Sequence, residues 1–133
     1  MNAVDTVKKI YELYAAGDLE GTMNLCAPDV RFVWKADPGF TRFCGTQAGL
    51  EQFRRRLDHL HEVFDYNSFR VVSIFGDGER VAAETEIEMT HKGSNKRMRL
   101  ENAHFWTVKD GKVTELTEYY DTALVADADR AAA

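Results

Sequence analysis

The chain lacks the marks of a membrane, secreted or nucleic-acid-binding protein. None of its 133 residues belong to an apolar run of about 18, the length that a membrane-spanning helix needs. The opening MNAVDTVKKIYELY has no apolar core, so no secretory leader is read there and the expected location is cytoplasmic. Basic residues do not dominate: 17 Lys and Arg stand against 22 Asp and Glu, a net charge of −5. That balance argues against nucleic acid or an anionic membrane as a partner, since both select a basic field. The run RRR at 54–56 lies among Glu51, Asp58 and Glu62 and reads as a solvated helix face. Cysteine is scarce. Cys26 and Cys44 stand outside any CxxC or Cys/His cluster, so zinc-ligand spacing is missing and no metal is expected. In a reducing compartment the two are expected to be free thiols. Phosphate-loop, dinucleotide and serine-triad patterns are missing too, so no cofactor is expected.

What is present is an ordinary globular composition, 44% apolar and 29% charged, of a length that suits one domain. The first half carries helical periodicity. Val7, Ile10, Tyr11 and Tyr14 recur on one face of a helix over 4–16, which Gly17 ends. Asp18 caps a second short helix, about 19–26, which Pro28 stops. A strand over 30–39 alternates, with Phe32 and Trp34 on one face. Thr46 then reads as the cap of a third helix, about 47–64, with a stripe of Leu50, Phe53, Leu57, Leu60 and Phe64.

The second half has period two. Stretches 67–75, 80–90, 96–108 and 112–121 read as strands, punctuated by GDGE, HKGSN and KDGK. Connections that short force antiparallel neighbours. The Ala-rich end, 124–133, reads as either a loose helix or an unstructured terminus, outside a single domain over 1–123. Helices first and a meander second make an α+β fold. Its sheet must curl around the three helices to bury its apolar side, and curling leaves room for a pocket.

Register then selects polar residues. On 97–108 the heavier apolar set is Met98, Leu100, Trp106 and Val108, and it brings Asn102 and His104 to the inner face. On 80–90, Val81, Ala83, Thr85, Ile87 and Met89 face inward, while Glu84, Glu86 and Glu88 read as the wet face. In the last strand, Asp121 shares a register with Tyr119, Thr117, Glu115 and Val113. Leu116, Glu118 and Tyr120 take the other, and periodicity does not say which is inside. Asp121 is either a strand-end residue or a carboxylate aimed into the pocket.

Three stretches carry a family resemblance: YAAGDLEGTMNLCAPDVRF, CGTQAGLEQFRRRL and HFWTVKDGKVTELTEYYD. In their order and spacing the chain resembles the SnoaL-like and ketosteroid-isomerase-like group of the nuclear transport factor 2-like superfamily. The resemblance covers about residues 4–123 and implies a cone-shaped curled antiparallel sheet around three N-terminal helices. It implies that Asp121, ending EYYD, is the last-strand aspartate that does acid/base chemistry in SnoaL-type cyclases. The steroid-isomerase pattern is incomplete. Its tyrosine position falls on Ile10, beside Tyr11, and its oxyanion aspartate on Ala103 or His104. Asp37 in ADPG resembles that family's base but is displaced by three residues. The epoxide-hydrolase pattern meets Glu84 and Glu86 where it needs an arginine and an aspartate.

The expected function is therefore acid/base catalysis without a cofactor, of isomerase, cyclase or dehydratase type, on a small, largely apolar molecule. Asp121 and His104 would be catalytic. Asn102 and Tyr119 would bond a substrate oxygen, and Phe32, Trp34, Met89 and Trp106 would form the apolar wall. The alternatives are a non-catalytic ligand-binding domain and an association domain. The resemblance also implies a homodimer through the outer sheet face, where Glu84, Glu86 and Glu88 alternate with Arg97 and Arg99 across strands.

Overall fold

A computed structural model describes residues 1–132. Its first helix, α1 (Ala3–Ala15), starts with a capping box. Asn2 Oδ1 accepts the Asp5 N–H at 2.8 Å, and the Asp5 carboxylate accepts the Asn2 N–H at 3.3 Å. Two donors that the first turn leaves free are thereby satisfied. Val7, Ile10 and Tyr11 bury the inner face. Asp18 caps α2 (Leu19–Asn24) through the Gly21 N–H, at 2.9 Å.

Strand β1 (Cys26–Lys35) begins earlier than its alternation predicts and runs through Pro28. Its pairing is irregular between Cys26 and Arg31, where a proline without an N–H can be accommodated. The stretch expected to open the third helix is instead a short strand, β2 (Gly45–Ala48), antiparallel to β1. Helix α3 spans Leu50–Val63, with Gly49 at its start instead of Thr46. Gly49 has φ +96 and gives its N–H to Val30 O at 2.8 Å. A left-handed backbone there breaks helical continuity and allows the preceding residues to pair with β1.

Four strands follow: β3 (Phe64–Asp77), β4 (Arg80–His91), β5 (Lys96–Lys109) and β6 (Lys112–Tyr119). The β5–β6 turn is the two-residue loop Asp110–Gly111. Both residues have positive φ, +51 and +76, which matches the twist of a tight hairpin. The sheet order is β2-β1-β6-β5-β4-β3, and every ladder is antiparallel except β1–β6, which is parallel. The fold is α+β: an unclosed six-stranded sheet curled around the N-terminal helices, as the register argument requires.

The Ala-rich end is a docked helix, α4 (Thr122–Arg130), with Val125, Ala126 and Ala128 buried. Asp129 holds it in place. Arg42 donates to both Asp129 oxygens at 2.8 Å, and His91 Nε2 donates to one at 3.1 Å. Hydrogen bonding from Arg42, with help from His91, holds the Asp129 carboxyl below its usual range. Val125 points inward, among Trp34, Phe43 and Tyr120. Among the described residues no helix is long and apolar enough to cross a membrane.

Candidate functional site

Two adjoining cavities lie between the concave face of the sheet and the helices, of about 90 and 40 Å³. Leu60, Tyr66, Ile87 and Glu118 line both. The larger one is walled by Phe32, Phe53, Phe69, Trp106 and Leu116, with Tyr11 and Tyr14 of α1 across from them. Its polar lining is confined to a few side chains, the usual make-up of a small-molecule site.

The polar part begins with a relay. The Trp106 indole N–H can only donate, and it reaches the Tyr11 hydroxyl oxygen at 3.0 Å. The single Tyr11 O–H then points to His104 Nδ1, at 2.7 Å. Burial pushes the Tyr11 phenol upward from its usual pKa, which keeps it a donor. Nδ1 is thus an acceptor, which puts the ring N–H on Nε2. That nitrogen has no hydrogen-bond partner among the described residues. It lies 3.7 Å from Glu118 Oε1, too far for a hydrogen bond.

Glu118 is the carboxylate of this site. Its side chain is only 18% exposed. Trp34 Nε1 donates to Oε2 at 3.2 Å and Asn102 Nδ2 to Oε1 at 3.1 Å, so both oxygens are oriented. His104, Asn102 and Thr85 are cross-strand neighbours of one another or of Glu118 on β4, β5 and β6. Among the described residues Thr85 Oγ1 and Asn102 Oδ1 lack partners as well as His104 Nε2. Buried polar atoms are nearly always satisfied, which sets these three apart; His104 faces the larger cavity and Asn102 the smaller, while Thr85 lines neither. The surrounding tyrosines stay protonated: burial lifts Tyr14 and Tyr120 each to about 12 and raises Tyr66 also.

The expected site residues divide into two groups. Phe32, His104 and Trp106 line the larger cavity, and Trp34, Met89 and Asn102 the smaller. Tyr119, Asp121 and Asp37 do not join them. Tyr119 is 47% exposed on the convex face, edge-on to Phe105. Strand β6 ends at Tyr119, so Asp121 lies beyond the ladder. It is exposed and caps α4, its Oδ1 accepting the Leu124 N–H at 3.1 Å. Asp37 is exposed in its turn, bonded to the Gly39 N–H. Residue pattern did not single out Glu118, Tyr11 or Tyr66 for the site. The signal for Glu118 was its parity with Leu116 and Tyr120. A bulge between Thr107 and Val108 hid it, because it brings Val113, of opposite parity, inside as well.

The SnoaL-like domain model matches residues 7–116, and the chain belongs to that family. An NTF2-like protein from Burkholderia thailandensis superposes with TM-score 0.87 at 25% identity, over 97% of this chain and 98% of its own. A candidate SnoaL-like polyketide cyclase from Mesorhizobium loti gives 0.76 at 23% identity, over 90% and 100%. TerC, co-crystallized with polyporic acid, gives 0.80 at 23% identity, over 96% and 98%. No curated protein matches the chain in sequence.

Proposed function

We propose that this protein is an acid/base enzyme that moves a proton on a small, largely apolar molecule, in a reaction of isomerase, cyclase or dehydratase type, using its own side chains. The observation that carries this reading is the Glu118 carboxylate 3.7 Å from His104 Nε2, which has no hydrogen-bond partner among the described residues, in a largely apolar cavity. Glu118 takes a proton from the carbon beside a substrate carbonyl. The C–H electron pair moves into the carbon–carbon bond and the carbonyl pair onto oxygen. His104 Nε2–H donates to that oxygen as its charge develops. Returning the proton to another carbon isomerises the molecule. If the enolate pair instead expels a β-hydroxyl, the C–O bond breaks and the proton held by Glu118 leaves with the oxygen as water, which dehydrates the molecule. Tyr11 is a positioning residue, because its O–H on Nδ1 selects the tautomer that donates from Nε2. A fold neighbour described as a candidate polyketide cyclase supports the same reaction class.

The test uses cyclohexanone in D2O, with exchange of its α-protons followed by NMR. Wild-type protein is expected to exchange them faster than buffer. Glu118→Gln slows the catalysed rate by about 10²–10⁴-fold, the usual worth of a positioned base, and leaves probe binding intact. Asp121→Asn leaves the rate unchanged. A Glu118→Gln protein that exchanges at the wild-type rate would remove the carboxylate from the mechanism. Binding without exchange by the wild type would favour the ligand-binding reading.

A further inference from the structure

The outer side of Trp34 holds a second concavity, which the proton-transfer reading does not use. Helix α3 turns Gln52, Arg55, Arg56 and His59, spaced i, i+3, i+4, i+7, toward the connection between β1 and β2. With Arg42 and Gln47 they line a groove of about 330 Å³. Trp34 and Phe43 supply its apolar side and are shared with the smaller inner cavity. No carboxylate is among the described lining residues.

Of the three arginines there, two have ion-pair partners among the described residues. Arg42 is engaged by both oxygens of Asp129. Arg55 pairs with Glu51 at 2.7 Å, and His59 Nδ1 lies 3.7 Å from Glu62. Arg56, only 8% exposed, forms no ion pair among the described residues. Its guanidinium lies 4.0 Å over the Trp34 ring, and its Nη1 and Nη2 reach the Gly45 and Cys44 carbonyls at long distances of 3.3 and 3.4 Å. Glu118 attracts it from a distance but does not touch it. Burial draws its pKa down, yet a guanidinium stays charged. A buried cation is costly unless an anion meets it. Tertiary structure has thus placed an arginine over an indole, beside two side-chain amides, with no ion-pair partner among the described residues.

We propose that this groove binds a small organic carboxylate, with Arg56 as its counter-charge and the Gln47 and Gln52 amides as further donors. The flat guanidinium offers parallel N–H groups along its edge, which suit the two oxygens of a carboxylate. A phosphate would draw on several free cations, and the other two arginines are already engaged. Trp34 and Phe43 receive the apolar body. The groove shares Trp34 and Phe43 with the smaller inner cavity, but none of its arginine or glutamine side chains.

The test is an NMR titration of the wild-type protein with sodium benzoate at low ionic strength, with benzamide as the neutral match. Benzoate is expected to shift the side-chain amide signals of Gln47 and Gln52 saturably and to leave the Trp106 indole signal in place. Benzamide binds about tenfold more weakly, as loss of one charge-assisted pair predicts. Arg56→Met removes the difference between the two probes. Should that variant fail to fold, Gln52→Ala, at an exposed position, is expected to weaken benzoate binding in a folded protein. Equal binding of the two probes, shifts confined to the Trp106 indole, or undiminished benzoate binding by Arg56→Met or Gln52→Ala would overturn the assignment.

Discussion

Strands β4 and β5 carry polar residues on both faces, and the two faces treat them in opposite ways. On the convex side Glu86 lies between Arg70 at 2.7 Å and Arg99 at 2.8 Å, and Glu88 meets Arg97 at 3.0 Å. Every one of these groups is paired, in water, where pairing adds little. On the concave side Thr85, Asn102 and His104 occupy alternate positions of the same strands, and each keeps an atom buried from water with no partner among the described residues. An exposed pair can be lost without consequence, whereas a buried orphan costs stability for as long as the protein is folded. Counting charges would point to the glutamate-rich face as the chemical one. Solvation points to the other.

Substitutions that exchange satisfied and unsatisfied groups sharpen this contrast. The largest stability effect is expected from Tyr11→Phe. Removing one hydroxyl strands both the Trp106 N–H and His104 Nδ1, and should cost about 2–4 kcal/mol in urea unfolding. A variant as stable as wild type would show that the relay is not what holds His104. Thr85→Val should move stability the other way. Thr85 is fully buried and its hydroxyl is unpartnered, so an apolar isostere is expected to raise unfolding stability by about 1 kcal/mol. Destabilisation instead would mean that the hydroxyl is satisfied in solution. The smallest effect belongs to the convex face. Glu86→Gln breaks two exposed ion pairs and should leave the thermal midpoint within experimental scatter. A clear loss there would make the outer network structural and end the contrast.

Much of the architecture is legible in the sequence. Helix α1, the Asp-Gly hairpin and the inward set Met98, Leu100, Asn102, His104 and Trp106 follow from caps, turn residues and parity, all of which act within a few residues. Six of the nine expected site residues line the cavities for the same reason. The failures occur where regular pattern stops. Asp121 and Glu118 stand three residues apart, yet one caps a helix in solvent and the other sits beneath Trp34. The end of β6 at Tyr119 and the bulge near Val108 decide between them, and both depend on partners elsewhere in the chain. The tail was equally undecidable. Its helix holds through Arg42 and His91, 87 and 38 residues away in sequence.

Local residue chemistry was therefore enough for the class of fold, the order of its helices and hairpins, and the side of the meander that faces the core. Periodicity and turn geometry are properties of neighbouring residues and need no partner. Tertiary structure alone decided which carboxylate enters the cavity, which histidine nitrogen bears the proton, and that Arg56 is buried without an acid. Each of those depends on contacts between distant segments, because burial changes what a polar group costs and only the assembled fold determines burial.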